Sequence, residues 1–206
     1  MVQVGVKRLV DVLLSLIALM TLFPLFLVVA FAIKLDSKGP MFYRAERIGR
    51  GGKPFKPYKF RTMVTGAQKI SDVVSTPNDD PRITRVGKIL RRYNLDELAQ
   101  FINVLTGEMS VVGPRPEVPR YIELLTDEEK VILSVRPGIT DLATVWIGDK
   151  GEILAGHEDP EKVYLEKIRP GKIRLQLEYV RNRSLWIDFE IMWNTVGVHL
   201  FDRFRS

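Results

Sequence analysis

The chain has no cysteine and only two histidines, His157 and His199. The first absence excludes a disulfide framework and zinc–thiolate centres, and it suits a reducing, cytosolic setting. The second leaves nothing with the spacing of a histidine zinc site. Neither GxxxxGK[ST] nor GxGxxG occurs, so the glycine-rich stretch at 49–52 is a turn, not a phosphate loop or a dinucleotide fingerprint. Internal repeats, low-complexity tracts and Gly/Ser linkers are also missing. The aromatic residues are not interleaved with the basic ones, so there is no stacking platform for single strands and no nucleic acid is expected as a partner.

Charge is missing over one long stretch. Residues 12–33 (VLLSLIALMTLFPLFLVVAFAI) carry none, and these 22 residues reach across a bilayer core of ~30 Å. The run is longer than the apolar region of a signal peptide, and no small-residue cleavage pattern follows it. Lys7 and Arg8 precede it; Lys34, Lys38, Arg44, Arg47 and Arg50 follow. A single span should keep its positive charge on one side, whereas here both flanks are basic. A helix that enters the membrane, breaks at Pro24 and returns to the same face reconciles this, with Gly5 and Gly39 both cytosolic. Proline gives the break a cause, because it lacks an N–H and its ring clashes with the carbonyl four residues back. A plain span with a kink is the alternative.

The rest, roughly 170 residues, suffices for one domain with its own core. The expected division is a membrane helix at 1–36 and a cytosolic, membrane-associated domain at 37–206. With 31 basic against 25 acidic residues, the +6 charge suits anionic lipid headgroups, nucleotides or nucleic acid.

Residues 41–48 and 54–62 read as a hairpin around the 49–52 turn, with Lys59 and Arg61 on one face of its second strand. Residues 75–82 are loop by composition. Helices are expected at 83–93, basic and amphipathic, and at 95–105, which Gly107 helps to end. A short extended piece at 110–113 leads into Gly113-Pro114-Arg115-Pro116, a turn stiffened by proline on both sides of Arg115. Residues 118–134 are expected to be helical in two parts, 136–140 a rigid loop, 161–169 and 172–183 two helices separated by Pro170-Gly171, and 185–204 a helix rich in large apolar residues. Trp186, Phe189, Met192, Trp193, Phe201 and Phe204 on that last helix fit either core packing or contact with a membrane interface.

Asp96-Glu97 is the pair most suited to chemistry. The local string Asn94-Leu95-Asp96-Glu97 also fits a plain capping box, with Glu97 reaching back to Asn94. Arg91 and Arg92 just upstream and Arg115 in its rigid turn favour more. Paired carboxylates hold a hard cation through oxygen while cations neutralise phosphate, as a magnesium–phosphate site requires. A carboxylate at a helix start is also favoured as the anion, and so as a nucleophile. Arg115, preorganised between prolines, offers a planar fork matched to phosphate.

The ordered set Lys7-Arg8, Asp11, the apolar run with its proline, Ser37-Lys38-Gly39-Pro40, Glu46-Arg47-Ile48-Gly49, Tyr58-Lys59-Phe60-Arg61-Thr62-Met63, Leu95-Asp96-Glu97-Leu98, Asn103-Val104-Leu105, Gly107-Glu108-Met109-Ser110, Gly113-Pro114-Arg115-Pro116 and Arg136-Pro137-Gly138-Ile139-Thr140 resembles the bacterial sugar transferases, also called monotopic phosphoglycosyl transferases. The likeness is close over residues 7 to 141 and looser beyond.

The resemblance implies an α+β fold, mainly helical, with an N-terminal re-entrant membrane helix, a small β-hairpin and interfacial helices around a membrane-proximal active site. It implies an enzyme on the cytosolic face of a bacterial inner membrane that transfers a sugar-1-phosphate from a UDP-sugar to polyprenyl phosphate and releases UMP. Magnesium (Mg2+) is the implied cofactor, held by Asp96 and Glu97. Asp96 is the implied nucleophile, forming a covalent phosphosugar, and Glu97 assists through the metal or a proton. Lys59, Arg61, Arg91, Arg115 and Arg136 are the implied substrate-binding cations, and membrane lipid is the surrounding partner. A homo-oligomer is left open. The sequence departs from the family at Phe23-Pro24, where Ser-Pro is usual, at Ala99, where proline often stands, and at 141–145, where Asp-Leu-Ala-Thr-Val replaces Gly-Leu-x-Gln-Val. The rival reading is a non-catalytic membrane adaptor whose basic face binds anionic lipid or nucleic acid.

Overall fold

The uncharged run forms one helix, α1 (Val2–Asp36), of 35 residues and therefore ~50 Å if straight. The structure, a computed structural model, describes residues 2–67, 76–148 and 150–197. The expected break at Pro24 is not a break in the helix: α1 is continuous through it. A proline removes only one hydrogen bond from the ladder. The other backbone groups of so apolar a segment have no better partner than the helix itself, so any change of direction is a bend within it.

Both ends of α1 are tied to the rest of the chain by polar contacts. Near the start, Lys7 Nζ pairs with Asp188 at 2.6 Å, and buried Asp11 accepts from Ser110 Oγ at 2.8 Å and from Val111 N at 3.0 Å. Arg8 donates to the carbonyls of Val104 and Leu105. Near the end, Asp36 accepts from Val86 N at 3.0 Å, while Val29 and Ile33 pack with Phe60, Leu90 and Ala99. Between these anchors one side of α1 packs on the body through Leu14, Leu25 and Phe26, and many other apolar side chains are exposed, Met20 at 70% and Phe31 at 67%. A lone water-soluble helix would not leave such residues unpaired with a core.

The hairpin forms in two short antiparallel pieces. β1 (Phe42–Tyr43) pairs with β4 (Lys59–Phe60), and β2 (Arg47–Ile48) pairs with β3 (Pro54–Phe55) around the glycine turn. Pairing lapses between the pieces. There Arg44 lies over the Tyr58 ring at 3.8 Å and donates to Lys56 O, and Asn103 Oδ1 accepts from Tyr58 N at 2.7 Å.

The basic helix is α2 (Arg85–Arg92), capped by the Thr84 hydroxyl, which accepts from Gly87 N at 3.0 Å. Gly87 is needed for close approach: a Cβ there would lie 2.0 Å from Thr62 O. The single helix expected at 95–105 is instead a 3-10 segment at Leu95–Gln100 followed by α3 (Phe101–Thr106), with Gly107 at φ 86 ending it as expected. Asn94 holds φ 52 and makes no side-chain cap. The sharp turn between α2 and the 3-10 segment uses that left-handed residue, and the capping box does not form.

β5 (Ser110–Val112) is the expected extended piece, and the expected loop at 136–140 contains a second strand, β6 (Gly138–Thr140), parallel to it. Gly113 and Gly138 let the two backbones meet; a Cβ on Gly138 would lie 2.1 Å from Gly113 N. The remaining regular elements of the described chain are helical. They comprise α4 (Pro119–Ile122), a 3-10 turn at Glu129–Ser134, α5 (Leu142–Ile147), α6 (Lys150–Leu154), α7 (Pro160–Val163), a π turn at Tyr164–Ile168, α8 (Arg169–Asn182) and α9 (Leu185–Gly197). Pro170-Gly171 does not separate two helices. The helical turns run on through Pro170, with a π turn just before it at the point where a residue without an N–H has to be accommodated. Phe201, Phe204 and His199 lie outside the described residues.

The largest core cluster joins Phe55, Val104, Met109, Val111, Val112, Tyr179, Val180 and Ile191. It fixes the parallel strands against α3, α8 and α9. On α9, Trp186 is 74% exposed, Phe189 53% and Trp193 70%, so these aromatics are not core, whereas Ile191 is buried.

Candidate active site

The 3-10 segment after the left-handed Asn94 directs its first acids inward. Asp96 is buried, and its Oδ2 lies 2.7 Å from Lys59 Nζ on β4. Glu97 Oε1 lies 3.2 Å from the same amine and also pairs with Arg115. Arg115 stands between Pro114 and Pro116, and its backbone N donates to Asp141 Oδ2 at 3.0 Å. Asp141 is itself buried. It accepts from Gln176 Nε2 at 2.8 Å and caps α5 by accepting from Thr144 N at 2.7 Å. Hairpin, 3-10 segment, proline turn and helix cap thus converge on one pair of acids.

The charges reinforce one another. Burial opposes ionisation of Glu97, but the Arg115 and Lys59 charges outweigh it and hold its carboxyl well below the usual carboxylate range. Burial likewise favours neutral Lys59, yet Asp96 and Glu97 raise its pKa. The Glu97 charge, acting against burial, holds the Arg115 guanidinium above its ordinary value.

Two cavities meet at these residues. One, of about 640 Å³, is the more polar of the two, with Arg47, Lys59, Arg91, Glu97, Arg115 and Lys172 among its walls. The other, of about 750 Å³, runs from Asp96 and Glu97 to the middle of α1, where Leu14, Ile17, Ala18, Thr21 and Leu22 line it. Lys59, Arg91, Glu97 and Arg115 border both. The arrangement places an acid pair and its cations between a pocket suited to a charged, soluble molecule and one suited to an apolar chain.

Residues 2–202 match the family described as bacterial sugar transferase. The chain belongs to that family. Among its relatives, the UDP-glucose:undecaprenyl-phosphate glucose-1-phosphate transferase of Escherichia coli (strain K12) is 40% identical over 196 residues, which cover 92% of this chain and 39% of that protein. The UDP-N-acetylgalactosamine-undecaprenyl-phosphate N-acetylgalactosaminephosphotransferase of Aeromonas hydrophila is 36% identical over 194 residues, 93% of this chain and 43% of its own length. The exopolysaccharide production protein PSS of Rhizobium leguminosarum bv. phaseoli is 42% identical over 200 residues, 92% of each chain. This sugar transferase chain therefore spans about two fifths of the first two relatives and nearly all of the third.

Of the cations that the motifs point to, Lys59, Arg91 and Arg115 border both cavities. Arg91 also donates to Thr76 O at 3.1 Å. Arg61 lines the first cavity only, and its guanidinium also donates to the carbonyls of Ser37, Lys38 and Pro40 at 2.7–2.9 Å, so it fixes the exit of α1. Arg136 is not brought to the acids at all: its Nε donates to Gly107 O at 2.8 Å, and it lines neither cavity. Pro24 lies within α1 and likewise lines neither.

Four wall residues of the polar cavity escaped the sequence reading. Buried Glu117 pairs with buried Lys172 and accepts from the Tyr164 hydroxyl at 3.1 Å. Burial pushes the Tyr164 phenol up to about 12, so it is a donor at neutral pH. Arg47, on β2, is held below its ordinary pKa by burial. The only available signal was position: Glu117 directly follows the proline turn, and Arg47 belongs to a family string. Nothing in the sequence pairs Glu117 with a lysine 55 positions away on α8.

The donor set also fits magnesium. Among the described residues no three acids or histidines cluster as a complete metal cage. Two adjacent carboxylates are, however, the usual protein share of a magnesium site that substrate phosphates and water complete.

Proposed function

We propose that this sugar transferase moves a sugar-1-phosphate from a UDP-sugar to polyprenyl phosphate, undecaprenyl phosphate in its relatives' names, and releases UMP, early in the assembly of an exopolysaccharide or related glycoconjugate. The observation that carries the reading is the Asp96-Glu97 pair, Asp96 buried and Glu97 partly so, faced by Lys59 and Arg115 where a charge-lined cavity meets a more apolar one. An adaptor that only binds lipid has no use for buried acids at such a junction.

In this mechanism the polar cavity takes the UDP-sugar, and Lys59, Arg91 and Arg115 neutralise its phosphates. A carboxylate oxygen of Asp96 attacks the β-phosphorus. The bond from that phosphorus to the bridging oxygen breaks, and UMP leaves with the oxygen and its electron pair. Asp96 then carries the phosphosugar as an acyl phosphate. A phosphate oxygen of the polyprenyl acceptor, its chain along α1, attacks the same phosphorus and frees the carboxylate. Catalysis of this kind depends on positioning and charge neutralisation, with the acid as a covalent relay. Asp96 and Glu97 would hold magnesium, which supplies further neutralisation of phosphate charge when bound. Incubation with magnesium, polyprenyl phosphate and a panel of UDP-sugars should release UMP with at least one sugar. No UMP with any UDP-sugar, from a folded chain, would favour the adaptor.

We infer that α1 is re-entrant and that the enzyme sits on the cytosolic face of the inner membrane. Support comes from its two ends. Lys7 and Asp11 bind one side of the body and Asp36 another part of the same body, while many apolar residues between are exposed. A straight span would carry one end ~30 Å away across the core. The exposed Trp186, Phe189 and Trp193 suit interfacial contact at the same level.

Topology can be read with single cysteines, since the chain has none. Gly5→Cys meets open space, but Gly39→Cys would place Cβ 2.3 Å from Thr65 Oγ1, so exposed Lys38 is the better second site. On intact cells a membrane-impermeant thiol reagent should label neither Gly5→Cys nor Lys38→Cys, and both after permeabilisation. Labelling of one alone from outside would establish a span. Pro24→Ala should shift the population towards spanning, because it restores a straight helix.

A further inference from the structure

We propose that a basic cleft beside the first turns of α1, apart from the acid pair, binds the phosphate of an anionic lipid headgroup. The cleft has a volume of about 80 Å³, and Arg8, Arg50, Arg136, Arg183 and Ser134 are among its walls.

Helix capping explains only part of this gathering. Arg8 donates two N–H groups to Val104 O and Leu105 O, and Arg136 donates its Nε–H to Gly107 O. These bonds satisfy carbonyls at the end of α3, where positive charge is favoured. A guanidinium has five donors, so each arginine keeps others for the cleft. Arg50 and Arg183 hold no such carbonyl among the described residues. Among the described residues, none of the four has a carboxylate within ion-pairing distance. Asp11 also borders the cleft, but its two oxygens accept from Ser110 and Val111. Besides burial, Arg8 and Arg50 oppose the charge on Arg136. A tetrahedral oxyanion would relieve that repulsion, and Arg8 and Arg136 are already held in place to receive it.

The source of the phosphate follows from the surroundings. Exposed Val4 lines the cleft, and exposed Val6 and Leu9 lie on the same turns of α1. Arg183 lies two residues before α9, whose Trp186 and Phe189 are exposed, and the Lys7–Asp188 pair joins α1 to α9. Basic groups between apolar and tryptophan-bearing surfaces suit headgroup depth. The assignment rests on the re-entrant reading of α1, which puts this end of the helix at the membrane face.

The test uses the full chain in a neutral detergent, titrated with dihexanoylphosphatidylglycerol, dihexanoylphosphatidylcholine or inorganic phosphate and followed by calorimetry. The variant is Arg50→Gln/Arg183→Gln, which leaves the capping bonds intact. Wild type should prefer the glycerol lipid over the choline lipid, and the variant should lose roughly tenfold in affinity for the former while keeping its UMP release. Equal binding of the two lipids, or undiminished binding by the variant, would overturn the proposal. Binding of inorganic phosphate without preference for the glycerol lipid would also overturn it and assign the cleft to a soluble anion. Lipid selectivity in a chain that releases no UMP would keep this site and remove the enzyme reading, so the two failures are distinguishable.

Discussion

Asp96→Asn should abolish transfer, with turnover falling by at least ~10⁴-fold, as when an enzyme loses its nucleophile. The substitution keeps the size of a buried side chain and removes its charge. Lys59 keeps Glu97 at 3.2 Å, so the amine is not left without a carboxylate, and the fold and membrane binding should survive. Charge also argues for Asp96 over its neighbour as the attacking group. A single oxygen of Glu97 is shared by Lys59 and Arg115, and two cations on one oxygen lower its nucleophilicity. Asp96 pairs with Lys59 alone among the described residues. Wild type should show ping-pong kinetics and release UMP before acceptor is added. A UDP-sugar labelled in its β-phosphate should leave label on Asp96, mapped by mass spectrometry after digestion. Glu97→Gln should also cripple turnover, but through lost positioning of Arg115 and of metal, and it should still accept label slowly on Asp96. A fully active Asp96→Asn protein, or strictly sequential kinetics with no labelled enzyme, would sink the covalent scheme.

What the sequence disclosed, and what it hid, divide along a physical line. The apolar run, the hairpin around its glycine turn, α2 and the Gly107 stop were legible because each is set by local chemistry: burial period, turn residues, end signals. The acid pair was legible as a candidate, yet its local string fitted a capping box equally well. Only the left-handed Asn94, which turns Glu97 towards Lys59 and Arg115, decides between them. Long-range pairing was not legible. β6 looked like a loop because a parallel partner 28 residues away gives no local signal. Arg61 and Arg136 were grouped with the substrate cations by their charge and their family strings. A guanidinium serves a carbonyl as readily as a phosphate, and here both serve the ends of helices. Asp141 stood out only as a departure from the family string; the structure makes it the acid that holds the Arg115 backbone and starts α5.

Arg115→Lys should keep the charge and still lose ~10²-fold in kcat/KM, equivalent to about 2–3 kcal/mol for a charge-assisted bidentate contact in a sheltered site. The reason is geometric. Arg115 already spends one arm on Glu97 and turns another towards Ile139 O at 3.4 Å, while its backbone is pinned through Asp141. A planar fork with five donors can hold Glu97 and still offer N–H groups to phosphate; a single ammonium on a flexible stem must choose. If the choice is Glu97, the phosphate loses its partner and KM for the UDP-sugar rises. If it is phosphate, Glu97 is released from one of its two cations and kcat falls. Either way the loss should appear in steady-state kinetics without a matching fall in thermal stability. Arg61→Lys provides the contrast: it should lower the melting temperature, because the guanidinium that joins three carbonyls after α1 is lost and only Lys38 O keeps another donor, Thr65 Oγ1, with a smaller effect on KM. Near-normal turnover by Arg115→Lys would mean that the site needs positive charge there but not the fork.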